Sequence, residues 1–358
     1  MEHSNKLIIL YLCLFSFFSC NEDNDNNNGN ITGNYSNGVY ILNQGNYYAN
    51  IGSSIDFLNY NKGEKTDSIF MKANLITPGN TLQAGAICGE NLYIAASESN
   101  IVFIVNKNTM KEVLRLKLED NPRDVIAYED FVYVSEYDGY VLKINNSTMT
   151  IENKIKVGPN PEEMAIANGY LYVTNSDGLN YEHNYEDGKS VSKINLKTFQ
   201  VEKNISVGLN PTKIIADSQG CLFVIAMGNY NDVTSKIQKI SEEGVEDIAE
   251  AIMFDVADTI LYCINSKTNW STGETANNYF TIGTKSCKKL NENFIATGVD
   301  YPITIGVEPN TKEIFISSHN KGSYGADYNS ACYINHYNAD GSLKKSYKAG
   351  INPFAFIF

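Results

Sequence analysis

The chain has 358 residues, with 28 Lys+Arg against 41 Asp+Glu and a formal net charge of -13. At 43% hydrophobic and 11% aromatic it can bury a large core, which excludes a disordered acidic chain, and the acidic balance excludes the basic footprint of a nucleic-acid binder. The four histidines, one of them His3, leave little for histidine chemistry, whereas 46 asparagines suit turns and polar ligands.

In chain order, residues 1–19 read as a signal peptide. Lys6 precedes an apolar run over 7–18, too short for the roughly 20 residues of a membrane-spanning helix. Ser19 before Cys20 resembles a bacterial lipobox, in which Cys20 becomes the lipidated first residue; an ordinary signal cleaved nearby is the alternative. Residues 20–36 begin Cys20-Asn21-Glu22-Asp23-Asn24-Asp25, and 21–30 hold no apolar side chain, so this stretch is expected to be a flexible tether. An acidic stretch at this place resembles the surface-export signal of outer-membrane lipoproteins in Bacteroidota; a solvated spacer facing the periplasm is the other reading. The implied address is the outer membrane, exposed at the cell surface and held by the lipid anchor alone.

Five cysteines remain beyond Cys20: Cys88, Cys221, Cys263, Cys287 and Cys332. They are odd in number, with neither a C-x-x-C pair nor metal-ligand spacing. Cys88 and Cys263 sit in apolar runs and are expected as buried thiols. A disulfide fits an oxidising compartment, but the spacing names no partners.

Residues 37–358 are organised by a repeat. A turn followed by apolar-aromatic-apolar recurs seven times: Val39-Tyr40-Ile41, Leu92-Tyr93-Ile94, Val132-Tyr133-Val134, Leu171-Tyr172-Val173, Leu222-Phe223-Val224, Leu261-Tyr262-Cys263 and Ile314-Phe315-Ile316. About ten residues before most copies stands a second marker, often Asn-Pro, as at Asn121-Pro122, Asn160-Pro161, Asn210-Pro211 and Asn352-Pro353. Four short β-rich segments fit in each unit, and 322 residues over seven units give 46 apiece, the length of a four-stranded blade. The chain is therefore expected to be all-β, a seven-bladed β-propeller. A six- or eight-bladed ring requires a different count through the irregular 245–300 stretch. The ends are out of phase in a telling way. Residues 352–358 supply a first strand with no successors, and Val39 opens a second strand lacking a first, so the two ends should complete one blade. In that last strand Phe354, Phe356 and Phe358 alternate with Ala355 and Ile357 and are expected to share one face.

At Tyr172-Val173-Thr174-Asn175 the chain resembles the YVTN propeller repeats, and 192–208 resembles half of a YncE-type blade. Its opening, Gly38-Val39-Tyr40-Ile41-Leu42-Asn43-Gln44-Gly45-Asn46-Tyr47, is similar to surface-layer-type propeller lipoproteins of gut Bacteroidota. That group includes lipoproteins that capture vitamin B12 and pass it to a TonB-dependent transporter. The resemblance thus implies a small-molecule ligand, with cobalamin the leading candidate, and such a transporter as partner. It carries no diagnostic ligand motif.

Propeller topology puts the loops between second and third strands on the face that also carries the blade-to-blade connections. Six of these loops hold aromatic residues among polar ones, and Tyr47, Tyr137, Tyr181, Tyr230, Trp270 and Tyr324, one from each, are the candidate ligand-binding residues. Capping of turns by Tyr and Asn is the plain alternative for any single one. No G-x-S-x-G, H-E-x-x-H or P-loop occurs, and His183, His319 and His336 are scattered. Asp177-Gly178 and Asp187-Gly188 suit either calcium or a simple turn, with the turn favoured. The expectation is a non-enzymatic binding protein without cofactor, metal or catalytic residues. A structural or adhesive surface protein is the alternative, and a propeller hydrolase the third reading.

Overall fold

The computed structural model describes residues 34–358; the expected signal peptide, Cys20 and all but the last three residues of the expected tether lie outside the described residues. Seven antiparallel four-stranded sheets make up the described chain. Their second strands are the seven repeat centres, running from Gly38–Asn43 in blade one to Ile314–His319 in blade seven. The inner, first strands of blades two to seven are Leu82–Cys88, Pro122–Tyr128, Pro161–Ala167, Pro211–Ala216, Met253–Ala257 and Tyr301–Val307. The inner strand of blade one is Pro353–Ile357, which pairs with Gly38–Asn43 and lies between the inner strands of blades seven and two. The chain is a seven-bladed β-propeller closed by its two ends.

The core is divided among the seven seams between blades, and the repeat centre explains why. Successive side chains on a strand point to opposite faces. In every copy the central aromatic enters the seam with the following blade, as Tyr40 does between blades one and two and Tyr133 between three and four. The flanking residues enter the preceding seam: Leu92 and Ile94 meet Tyr40, and Leu171 and Val173 meet Tyr133. Aromatic residues suit this place because one ring fills a gap of sheet-to-sheet width, and in two copies the hydroxyl also finds a partner. Tyr93 donates to Asn146 Oδ1 at 2.9 Å, and Tyr40 donates to the Lys107 carbonyl at 2.6 Å.

Two local features depart from the regular repeat. Six of the seven inner strands carry a β-bulge within their first three residues. In the closing strand the bulge residue is Phe354, because Asn43 pairs with Pro353 and Leu42 with Ala355. This corrects the simple alternation: Phe356 and Phe358 pack in the seam with Phe315, whereas Phe354 lines the central channel. An extra residue on one strand resets which face follows. In blade one the outer strand is only Glu64–Thr66, and a short helix, Ile69–Asn74, follows it. Its entry is held by the buried Asp56, which accepts from the Ser68 amide at 3.0 Å and from Lys65 at 2.8 Å, while Ile69 and Phe70 are buried.

Closure is also tightly fitted. A Cβ on Gly85 of blade two would lie 2.6 Å from Ile357 Cδ1 and 2.9 Å from the Tyr93 carbonyl, and one on Gly306 of blade seven 2.9 Å from Phe356 Cδ2. Both flanks of the last strand therefore require a residue without a side chain. Deleting residues 353–358 is expected to expose an unpaired edge and cause aggregation, and Gly85→Val to lower unfolding free energy by about 1–3 kcal/mol. Denaturant unfolding and size-exclusion chromatography check both; a monodisperse truncation with unchanged midpoint would refute closure by the ends.

Candidate functional site

The loops after the second strands all lie on the face of the blade-to-blade connections, tied there by a repeated hydrogen bond. The amide just beyond the second strand donates to the carbonyl just before an inner strand: Gln44 to Asn352 at 2.9 Å, Ser97 to Thr81 at 2.9 Å, Tyr137 to Asn121 at 3.0 Å, Ser176 to Asn160 at 3.1 Å and Met227 to Asn210 at 2.8 Å. Asn160, Asn210 and Asn352 adopt left-handed backbone angles, which asparagine tolerates better than most residues. The Asn of the Asn-Pro marker is thus a turn residue that anchors the loop face.

The rim so formed is uneven. Blades two and three have short connections over 97–100 and 137–139, whereas those over 44–53, 176–189, 227–235 and 320–332 are long. In blade six the paired strands Ile260–Asn269 and Glu274–Gly283 run several residues beyond those of other blades and project as a hairpin. The result is a wall over five blades and a gap over two.

The six candidate residues occupy this rim but do not form one cluster. Trp270 caps the hairpin, 80% exposed, and meets Tyr324, whose hydroxyl donates to the Trp270 carbonyl. Tyr230 packs edge-on against Tyr185 at 6.0 Å and reaches the channel mouth. Tyr137 is half-buried, with the Arg123 guanidinium 4.7 Å above its ring. Tyr47 touches Tyr48 at 5.8 Å, and Tyr181 stands exposed on a 3-10 turn. Asp177 is buried in the same connection, where Oδ2 accepts from Asn180 Nδ2 at 2.9 Å and the Asp187 amide at 3.1 Å, so it organises the loop. Of the histidines, His319 is buried beside the Cys332 thiol at 3.4 Å, and His336 is buried against Glu313 at 2.8 Å; both are held below the usual imidazole range by burial. Cys88 and Cys263 are buried, and all five described cysteines are free thiols.

Below the rim, the seven inner strands surround a channel of about 660 Å³. Charged groups line the side formed by blades three to six, a feature absent from the sequence reading. Arg123 Nε donates to Glu162 at 2.8 Å, and Lys213 Nζ to Glu163 at 3.0 Å, each pair bridging neighbouring blades. Asp124 accepts from the amides of Val125 and of Met164 in the next blade, both at 2.8 Å. Asp255 does the same with Val256 at 2.8 Å and Val307 at 2.7 Å. Burial, reinforced by Glu163, pushes Asp124 up to about 7; burial pushes Asp255 up to about 6 against the pull of its amide donors and Lys213. Blades one, two and seven line the other side with mostly apolar residues such as Phe354, Ile303 and Ala84. The available signal was the pair of charged or polar residues directly after the Pro of blades three to five, Arg123-Asp124, Glu162-Glu163 and Thr212-Lys213.

A family model matches residues 37–357, described as Domain of unknown function (DUF5074). The chain belongs to this family. No curated protein matches it in sequence. Among solved structures, it is similar to a quinonprotein alcohol dehydrogenase-like protein from Bacteroides thetaiotaomicron, at TM-score 0.60 and 14% identity, covering 91% of this chain and 79% of that one. Hydrazine synthase from Kuenenia stuttgartiensis gives TM-score 0.57 at 14% identity, covering 72% and 77%, and a chain of the mitotic checkpoint complex gives 0.54 at 11%, covering 75% and 77%. At such identities the likeness is one of fold.

The channel carboxylates make a pH prediction. The folded protein holds the Asp124 proton more tightly than the unfolded chain, from the ordinary 3.8 up to about 7. Its contribution to stability is therefore full below about pH 4 and is lost as pH rises through about 7. Urea unfolding between pH 4 and pH 8 should show wild type losing more stability than Asp124→Asn, by no more than about 4 kcal/mol. Parallel pH profiles would show that Asp124 ionises normally in the fold.

Proposed function

We propose that this protein is a surface-tethered binding propeller whose loop face captures a large amphipathic nutrient and passes it to a TonB-dependent outer-membrane transporter. The observation that carries the reading is the uneven wall of long connections on the loop face, which exposes Trp270, Tyr324 and Tyr230 on three separate blades, with Tyr230 at the channel mouth. Rigid aromatic side chains give contact area at low entropic cost, and the neighbouring Asn side chains supply amide hydrogen bonds. A corrinoid is the first candidate, because the repeat and the opening motif resemble propeller lipoproteins that include vitamin B12 carriers. Its broad ring and amide arms suit stacking residues and amides without a metal ligand from the protein. The reading assigns no catalytic step to the chain.

Calorimetry with cyanocobalamin on the purified protein tests this, followed by Ala variants of Tyr47, Tyr137, Tyr181, Tyr230, Trp270 and Tyr324. One or two should weaken binding by at least about thirtyfold and the rest only slightly, the usual distribution at a binding surface. Absence of binding at micromolar corrinoid removes the corrinoid. Full affinity in all six variants moves the site off the rim.

The projecting hairpin with Trp270 at its tip also favours a second reading, contact with a surface polymer or protein partner. Cross-linking on intact cells separates the two: a transporter subunit supports capture, and a matrix component supports adhesion. Both readings place the chain on the outer membrane through Cys20. Cys20→Ala should shift it from the membrane to the soluble fraction, since stable anchoring needs the acyl chains; unchanged fractionation would remove the lipoprotein assignment.

A further inference from the structure

The channel has a chemistry different from that of the rim above it. Its cations are paired, Arg123 with Glu162 and Lys213 with Glu163, and its remaining carboxylates, Asp124 and Asp255, each accept two backbone amide N–H groups. Hydrogen-bonding capacity nonetheless remains. Arg123 makes its bond to Glu162 through Nε, and its Nη groups have no hydrogen-bond acceptor among the described residues. Lys213 makes one side-chain hydrogen bond, leaving two N–H groups. The hydroxyls of Thr212 and Thr304 line the channel without a hydrogen-bond partner among the described residues, and Gln83 accepts from Gln44 while its own amide N–H groups remain available.

Opposite these groups stand Ile303, Ile305, Phe354, Ala355, Ala84 and Gly85, a wall with little hydrogen-bonding capacity. Tyr230 and Met227 stand at the loop-face entrance. A cavity of about 660 Å³ lies within the range of small-molecule sites. One side presents many donors and acceptors, and the other presents an apolar surface.

From this arrangement we propose that the channel is a binding site for a neutral polyhydroxylated ring, a single sugar unit. The hydroxyl edge of a pyranose takes the hydrogen bonds of Arg123, Lys213, Glu163 and Thr212, and its C–H face lies on the wall of Phe354 and Ile303. A free anion is disfavoured because both channel cations are already paired and the carboxylates of Asp124 and Asp255 stand beside them. A purely apolar ligand would leave the polar side desolvated and unpaired, which is costly. The site is independent of the rim reading, since Ala84 and Thr212 are channel residues and Trp270 is not.

Ligand-observed NMR and calorimetry on the purified protein test the proposal, with glucose, galactose, mannose and N-acetylglucosamine, each also as its methyl glycoside. At least one should bind with a Kd of about millimolar or tighter. Ala84→Leu and Thr212→Leu, which narrow the channel from two sides, should each weaken that binding at least about tenfold at unchanged melting temperature, an effect of the size of one lost contact. Trp270→Ala should leave it unchanged. Binding of both forms, or of the free sugar alone, identifies a free monosaccharide as ligand; preference for the glycoside identifies the end of a glycan. Failure of every sugar at tens of millimolar overturns the proposal, as does binding that survives both narrowing variants or is lost with Trp270.

Discussion

Everything in this propeller depends on the second strand of each blade filling two seams at once. Because side chains alternate, the central aromatic reaches forward to the next blade while its two apolar neighbours reach back to the previous one. A blade alone would expose both faces, so the fold is stable only when the ring is complete. Pro353–Ile357 has no blade of its own, and its pairing with Gly38–Asn43 joins the last seam to the first. Gly85 and Gly306 leave the room in which that strand fits.

The same geometry produces the site. Seam packing presses the inner strands together around an axis, and the residues that face the axis cannot reach a seam. They are therefore released from the apolar requirement and can carry charge. On blades three to six they do, and the charges are arranged as bridges between neighbours: Arg123 to Glu162, Asp124 to the Met164 amide, Glu163 to Lys213, Asp255 to the Val307 amide. These contacts hold successive blades in register and give the channel its polar side. Buried ion pairs are weak sources of net stability but specific ones of geometry. On the loop face, the repeated bond from the second strand's end to the residue before the same blade's inner strand fixes where each connection leaves the rim, and connection length then decides which blades rise into the wall.

Much of this was legible in the chain. Each repeat centre became a second strand, each Asn-Pro marker led into an inner strand, and the out-of-phase ends met in one blade. The six rim candidates stand on the connections where the repeat put them, but their neighbours were not foreseen. Tyr137 lies under Arg123, Tyr230 faces Tyr185, and Trp270 meets Tyr324. Such pairings depend on loop paths, and loop paths follow from turns whose geometry no short-range pattern specifies. Phe354 shows the limit within a strand. One bulge turned it from the seam into the channel, where strict alternation had placed it beside Phe356.

Local periodicity, the property of a few consecutive residues, was enough to determine the strands, the number of blades and the closing of the ring. It sufficed because each seam is built from the same short pattern, met again by its copy one blade later. Only the tertiary structure decided the channel. Arg123 meets Glu162 across 39 residues of chain and Glu163 meets Lys213 across 50, and within the sequence each pair is two ordinary charges at the start of separate strands. What makes them a polar wall opposite Phe354 is the convergence of seven inner strands on one axis, a relation that exists only once the ring has closed.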